Sequence, residues 1–271
     1  MRSSIRRLGP SGPQGPLRIA MLVSATGANL TTVLQMQEAE PEHYQVCLVA
    51  SHGTRSKALH VAAEHGVETW PGDFDDHCGL ASQARTPQDR AVYRRRARAW
   101  HDRLSERLSR WEAQNGELDL VVLAYHRWIE GDLLDRFNMR MINQHPGDLS
   151  VLDGHGRRVL IGNDPVRQAI ELGHSSTRTS CFLVDASHDG GAVLCQGPEV
   201  STAGLSATTE AAWQHERKQK ELSDRPCLQW SISAYRRGDL SVGGGTHADG
   251  SLQVWERDRA LPLGGKKLSH E

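Results

Sequence analysis

Charge of one sign is missing from this chain of 271 residues: Lys+Arg 32 against Asp+Glu 33 leave a net charge of −1. No global basic field points to nucleic acid or to an anionic membrane. Long apolar runs are also missing. No stretch of 18 apolar residues occurs, so no membrane-spanning helix is expected. The 14 histidines form no HxH or HExxH pattern, and no metal is assigned. The five cysteines (Cys47, Cys78, Cys181, Cys195, Cys227) form no CxxC pair and read as buried, reduced thiols of a cytoplasmic protein. Residues 1–16 carry Arg2, Arg6 and Arg7 but no apolar core, which excludes a secretory signal. Their glycines and prolines make this stretch a flexible leader, outside a domain expected over 17–265 and followed by a short tail, 266–271. Neither a Walker A loop nor GxGxxG occurs, and there is no internal repeat.

Alternating strands and helices are what the chain does contain. Leu17–Val23, Tyr44–Ala50, Val67–Trp70, Leu118–Ala124 and Arg140–Asn143 read as strands, and Asn29–Gln37, Ser56–His65 and Pro87–Gln114 as helices. Leu118–Ala124 is nearly continuous in apolar character, as strands covered on both faces are. The expected fold is α/β: an open, mostly parallel twisted sheet of Rossmann type with flanking helices. Two further strands, Thr179–Val184 and Ala192–Gln196, flank a 185–191 loop. A helix over Ala207–Leu222 is expected to break at Ser223–Pro226, and another runs to Tyr235. A β-hairpin closes the chain, with Gly243–Gly245 as its turn.

Ligands in such sheets bind beyond the carboxyl ends of the strands, where Asn143 and His145 fall. An amide and an imidazole there can stabilise an oxyanion and exchange a proton. A carboxylate such as Asp189 can orient the imidazole. The turn 24–29 between the first strand and the first helix could bring backbone amides to an anion, although a plain small-residue turn explains it equally well. The arginines 94–96 and 98 read as a solvated helix face, and no aromatic interleaving turns them into a stacking platform.

The ordered motifs resemble the folate-dependent formyltransferase family over residues 18 to about 265. Ser24–Asn29 (SATGAN) is similar to the family's SGNGSN-like loop, and Val49-Ala50-Ser51-His52 to its VxSN segment. Val121–Ile129 matches VVLAGFMRIL, and Asn143–Leu149 matches NIHPSLLP. Arg167–Ile170 matches the RQAL helix, and Val184–Gly191 the segment ending in DGG.

This resemblance implies transfer of a formyl group from 10-formyltetrahydrofolate to a primary amine, with phosphoribosylglycinamide of purine biosynthesis as first choice. Alternatives are another amine, such as an amino sugar or amino acid, hydrolysis by a formyltetrahydrofolate deformylase, or plain folate binding. It implies Asn143, His145 and Asp189 as the catalytic set, with His145 protonated against the oxyanion. Arg127, Trp128, Ile129, Asp185 and His188 would face the folate. Thr26, Gly27, Ala28, Asn29 and Glu221 would face the amine substrate. It calls for no metal, nucleic acid or membrane, and leaves a homodimer open. Three departures stand out. Ala25 and Ala28 replace a glycine and a serine in the phosphate loop, the folate loop is one residue short at Tyr125-His126, and the 147–158 segment is several residues longer than usual. In that segment Asp148, Asp153, Arg157 and Arg158 could contact a charged acceptor or simply be solvated.

Overall fold

The computed structural model describes residues 4–10, 15–24 and 26–270. It divides into two compact units, Gly15–Met141 and Ile142–Glu271 with Met1–Gln14. The first described strand, β1 (Arg6–Arg7), lies in the latter.

In Gly15–Met141 the strands β2 (Leu17–Val23), β3 (Tyr44–Ser51), β4 (Glu68–Trp70) and β5 (Leu120–Ala124) pair in parallel in the order β5-β2-β3-β4. All of β2 but Arg18, and β5 up to Leu123, are buried, as the continuous apolar runs require. Helices α1 (Ala28–Ala39), α2 (Lys57–Glu64), α3 (Phe74–Cys78), α4 (Pro87–Asn115) and α5 (Asp132–Arg136) complete this unit. A capping box starts α4: the Thr86 hydroxyl accepts from the Asp89 amide at 3.0 Å, and the Asp89 carboxylate from the Thr86 amide at 3.1 Å. Pro87 occupies the first turn, where its missing N–H costs nothing. Trp100, Leu104, Leu108 and Trp111 form the buried stripe of α4, while Arg94, Arg95, Arg96 and Arg98 are exposed as expected.

In the other unit, β6 (Met141–His145, whose pairing begins at Ile142) runs antiparallel to β8 (Ser180–Leu183). β8 runs antiparallel to β9 (Val193–Gln196), with the 185–191 loop between them. The short pair β7 (Ser176–Thr177) and β10 (Val200–Ser201) stands apart. A hairpin of β11 (Leu240–Thr246) and β12 (Leu252–Glu256), extended by β13 (Arg259–Ala260), closes the chain, and β14 (Lys266–Lys267) adds in parallel to β9. Helices here are α6 (Pro165–Glu171), α7 (Thr209–Gln219) and α8 (Arg225–Arg237). The architecture is therefore α/β, parallel in one unit and mixed in the other. No helix among the described residues is long and apolar enough to cross a membrane. All five cysteines are free, and four are buried.

Four expectations change. Arg6–Arg7 of the expected leader pairs with Ser241–Val242, and Leu8 is buried, so this part of the segment is ordered by strand addition; residues 1–3 and 11–14 lie outside the described residues. Lys266–Lys267 belongs to a sheet rather than to a tail. The hairpin turns at 247–250, where the Gly250 amide donates to the His247 carbonyl at 3.0 Å. Gly243 and Gly244 instead lie inside β11, with φ of 108° and 77°, at the register shift before Thr246. A Cβ at Gly243 would stand 2.5 Å from the Ser4 carbonyl oxygen, so close approach of the N-terminal segment requires glycine there. Finally, Ser223–Pro226 does not break the helix. A π-helical turn, Lys220–Asp224, carries α7 directly into α8.

That turn faces Ser223 and Asp224 inward. The Ser223 hydroxyl accepts from the Thr179 amide at 3.0 Å, and the Thr179 hydroxyl donates to the Asp224 carboxyl. Gln219 donates to the Thr179 hydroxyl and to the Pro146 carbonyl, each at 3.0 Å. Burial raises the Asp224 pKa to about 7, against the lowering effect of the Thr179 bond and of Lys220. With the folded pKa above the unfolded value of 3.8, the stability contributed by this group is full below pH 4 and lost as pH rises through about 7. Asp224→Asn is therefore expected to raise the melting temperature more at pH 8 than at pH 5. Thermal unfolding across that range checks this, and an equal shift at both values would contradict it.

Candidate active site

β6 alternates its side chains, so Asn143 and His145 share one face and Gln144 takes the other. Its register with β8 sets Asn143 opposite Phe182, Gln144 opposite Cys181 and His145 opposite Ser180. Gln144 donates to the Asp224 carbonyl at 2.7 Å, which ties the far face to the π turn. The half-buried Asn143 amide has no hydrogen-bond partner among the described residues. Its N–H can donate to a ligand oxygen.

His145 is 5% exposed. Its Nε2 lies 2.8 Å from the Leu160 carbonyl oxygen. A carbonyl only accepts, so Nε2 carries the proton and Nδ1 keeps its lone pair in the neutral ring. Nδ1 lies 3.7 Å from Asp189 Oδ2. The His145 pKa is lowered, first by burial; Asp189 and the Leu160 carbonyl oppose that effect, while His188 and Arg158 add to it. Burial thus favours the neutral ring in the resting site. Gly147 makes room for it: a Cβ there would lie 2.9 Å from His145 Nε2 and 2.5 Å from the Leu160 oxygen.

Asp189 sits in the 185–191 loop with φ of 52°, a left-handed conformation that glycine, asparagine and aspartate adopt more readily than other residues. Its Oδ2 accepts from the Gly162 amide at 3.2 Å. A Cβ at Gly191 would lie 1.8 Å from the Leu183 carbonyl oxygen, so the chain can re-enter β9 only through glycine. Asn143 and His145 thus share a strand face, and Asp189 of the same unit lies beside the His145 ring.

The other candidate residues are more dispersed. Asp185 is exposed and accepts from the Ser187 amide at 2.8 Å, which holds the same loop. His188 is exposed, with Nδ1 3.7 Å from Asp189 Oδ2. Glu221 is exposed on the π turn. Arg127, Trp128 and Ile129 lie in the Gly15–Met141 unit. The Arg127 guanidinium is held by Asp75 (2.7 and 2.8 Å), Trp128 is exposed with Arg94 over its ring, and Ile129 is buried. In the same unit Gly27, with φ of 85°, caps α1; its added Cβ would meet Ala58 at 3.1–3.2 Å. Helix packing therefore accounts for this glycine. Thr26 and Ala28 are exposed, Asn29 is half-buried, and Ala25 lies outside the described residues.

In the long segment, Arg157 is exposed and pairs with Asp153. Asp148 accepts from Ser150 and Gln196. Arg158 is turned inward and does not face solvent. Sequence reasoning missed the Leu160 carbonyl and the Gly162 amide, because backbone partners leave no residue-type signal.

The formyl transferase family model matches residues 17–221. The chain is 29% identical over 237 residues to the phosphoribosylglycinamide formyltransferase of Mycobacterium tuberculosis, covering 86% of this chain and 92% of that protein. Among solved structures, glycinamide ribonucleotide transformylase 1 from Symbiobacterium toebii aligns with a TM-score of 0.62 at 22% identity, over 88% of this chain and 94% of its own. A formyltetrahydrofolate deformylase from Pseudomonas syringae pv. tomato aligns with a TM-score of 0.60 at 17% identity, over 90% and 67%. Likenesses at such identity establish the fold, and the family match over most of the chain establishes the kinship: the protein belongs to the formyl transferase family.

Proposed function

We propose that this formyl transferase moves the formyl group of 10-formyltetrahydrofolate onto the primary amine of phosphoribosylglycinamide, in the cytoplasm and without a metal. One observation carries the reading: an unpartnered Asn143 amide stands on the same strand face as a neutral His145, whose Nδ1 lone pair lies beside the Asp189 carboxylate. The M. tuberculosis relative, a phosphoribosylglycinamide formyltransferase, supports this acceptor.

The amine attacks the formyl carbon, forming the new C–N bond and an oxyanion that receives the Asn143 N–H. Neutral His145 takes the proton of the resulting ammonium at Nδ1. The imidazolium so formed keeps its Leu160 bond through Nε2 and gains the Asp189 charge beside Nδ1. It returns the proton to folate N10 as the C–N10 bond breaks, which regenerates the neutral ring and releases tetrahydrofolate. Proton acceptance requires the neutral form, which burial supplies. In the 142–271 unit Asp185 and His188 are proposed to face the folate and Glu221 the acceptor; in the Gly15–Met141 unit Arg127, Trp128 and Ile129 are the folate-facing candidates, and Thr26, Gly27, Ala28 and Asn29 the acceptor-facing ones. The structural likeness to a deformylase favours one second reading, in which water replaces the amine.

Release of tetrahydrofolate, followed by absorbance, is expected to depend on phosphoribosylglycinamide. Turnover without any amine would establish the hydrolytic reading, and turnover only with another amine would replace the acceptor. Asn143→Ala is expected to lower kcat by about 10²–10³-fold, with His145→Ala and Asp189→Asn also severely impaired and all three retaining native circular dichroism. Near-normal turnover by His145→Ala would remove it from the chemistry.

The lowered His145 pKa sets the direction of the pH dependence. Activity should persist below pH 6.5 and fall only once the ring protonates. Removing the Asp189 charge removes an interaction that raises the pKa, so the acidic limb of the residual Asp189→Asn activity should move to still lower pH.

A further inference from the structure

We infer that Arg158 and Asp249 are positioning residues for the reaction, forming a buried brace by which the closing hairpin holds the Asp189 loop in place. The inference rests on the proposed role of His145 and Asp189.

The Arg158 guanidinium reaches in three directions. Nε donates to Asp249 Oδ2 at 2.7 Å, Nη2 to the Gly191 carbonyl at 2.9 Å, and Nη1 to the Asp189 carbonyl. Its side chain is 5% exposed and that of Asp249 is 2% exposed. Asp249 lies in the 247–250 turn between β11 and β12, where Oδ1 accepts from the Ser251 amide at 3.0 Å and from its hydroxyl at 2.7 Å. Ser251 thus holds Oδ1, and Oδ2 takes the arginine. A planar fork with five donors suits this task, since it can grip a carboxylate and two carbonyls at once.

The carbonyls it grips are those of Asp189 itself and of Gly191, where the loop turns back into β9. Asp189 holds φ at 52°, a left-handed conformation that these two bonds help to hold. The same stretch of chain touches the pair twice more: Leu160 O receives His145 Nε2, and Gly162 N donates to Asp189 Oδ2. The Val159 amide bonds the Val151 carbonyl at 3.0 Å, so the stretch is itself a folded loop. Residues 158–162 therefore bracket His145 and Asp189, and Asp249 anchors the bracket. This gives the unusually long segment after His145 a function other than contact with a charged acceptor.

Burying an ion pair is weak evidence of net stabilisation, whereas its removal from one side leaves an unpaired charge. The test therefore uses Arg158→Lys, Arg158→Gln, Asp249→Asn and the paired exchange Arg158→Met with Asp249→Leu, which removes both charges together. Formyl transfer is measured from pH 5 to 8, with the His145 ring titration followed by NMR. Groups acting on that ring are Asp189, His188 and Arg158.

A displacement near 1 Å can cost about 100-fold. The paired variant is expected to stay folded, lose roughly 10–100-fold in kcat with little change in KM, and titrate His145 at an altered pH. Arg158→Lys should recover part of the loss. A folded paired variant with normal kcat and an unmoved His145 titration would overturn the brace, as would a loss of melting temperature alone. His145→Ala serves as the control. If it is inactive while the paired variant is normal, the brace fails and the catalytic reading stands; if it is active, the catalytic reading fails first.

Discussion

The bond from His145 Nε2 to the Leu160 carbonyl is the constraint that orders the rest of the site. It fixes which ring nitrogen carries the proton and thereby leaves Nδ1 as the basic atom beside Asp189. It needs Gly147, because any side chain there would collide with both partners. It also needs the 158–162 stretch to return to β6, which the long loop after Pro146 makes possible. Burial then acts on a ring whose tautomer is already decided, and disfavours its charged form.

Polar groups in this unit are handled by a common logic. Gln144, on the opposite face from the catalytic pair, is tied to the π turn, and that turn places Asp224 and Ser223 against Thr179. Gln219 joins the same network to the Pro146 carbonyl, one residue past His145. The segment is therefore held on both faces, by a buried hydrogen-bonded network on one and by charged and backbone partners on the other. A π turn suits the first task, because it rotates successive side chains inward without ending the helix.

Kinship within the family rests on the match over residues 17–221, while several segments have features explained by this chain's own packing. The Arg127 guanidinium is satisfied by Asp75, so what this residue offers a ligand is chiefly backbone. The glycine of the 24–29 turn is explained by its left-handed φ and the proximity of Ala58. The 147–158 segment ends in the arginine that meets the hairpin turn.

By itself the sequence determined the α/β class, the strands around 17–23, 44–51 and 120–124, and the spacing that sets Asn143 and His145 on one face. These follow from apolar runs and a period of two, which are local properties of the chain. Asp189 was legible through the resemblance of Val184–Gly191 to the family's segment ending in DGG. The strand made by Arg6–Arg7, the last strand at Lys266–Lys267, the uninterrupted passage through Ser223–Pro226 and the true hairpin turn were decided by tertiary structure. Each depends on a partner distant in sequence or on a backbone group that every residue possesses. The same holds for the protonation of His145 and for the inward turn of Arg158. An arginine looks alike in sequence whether it meets water or a buried carboxylate, and only packing supplies the desolvation and the partners that tell the two apart.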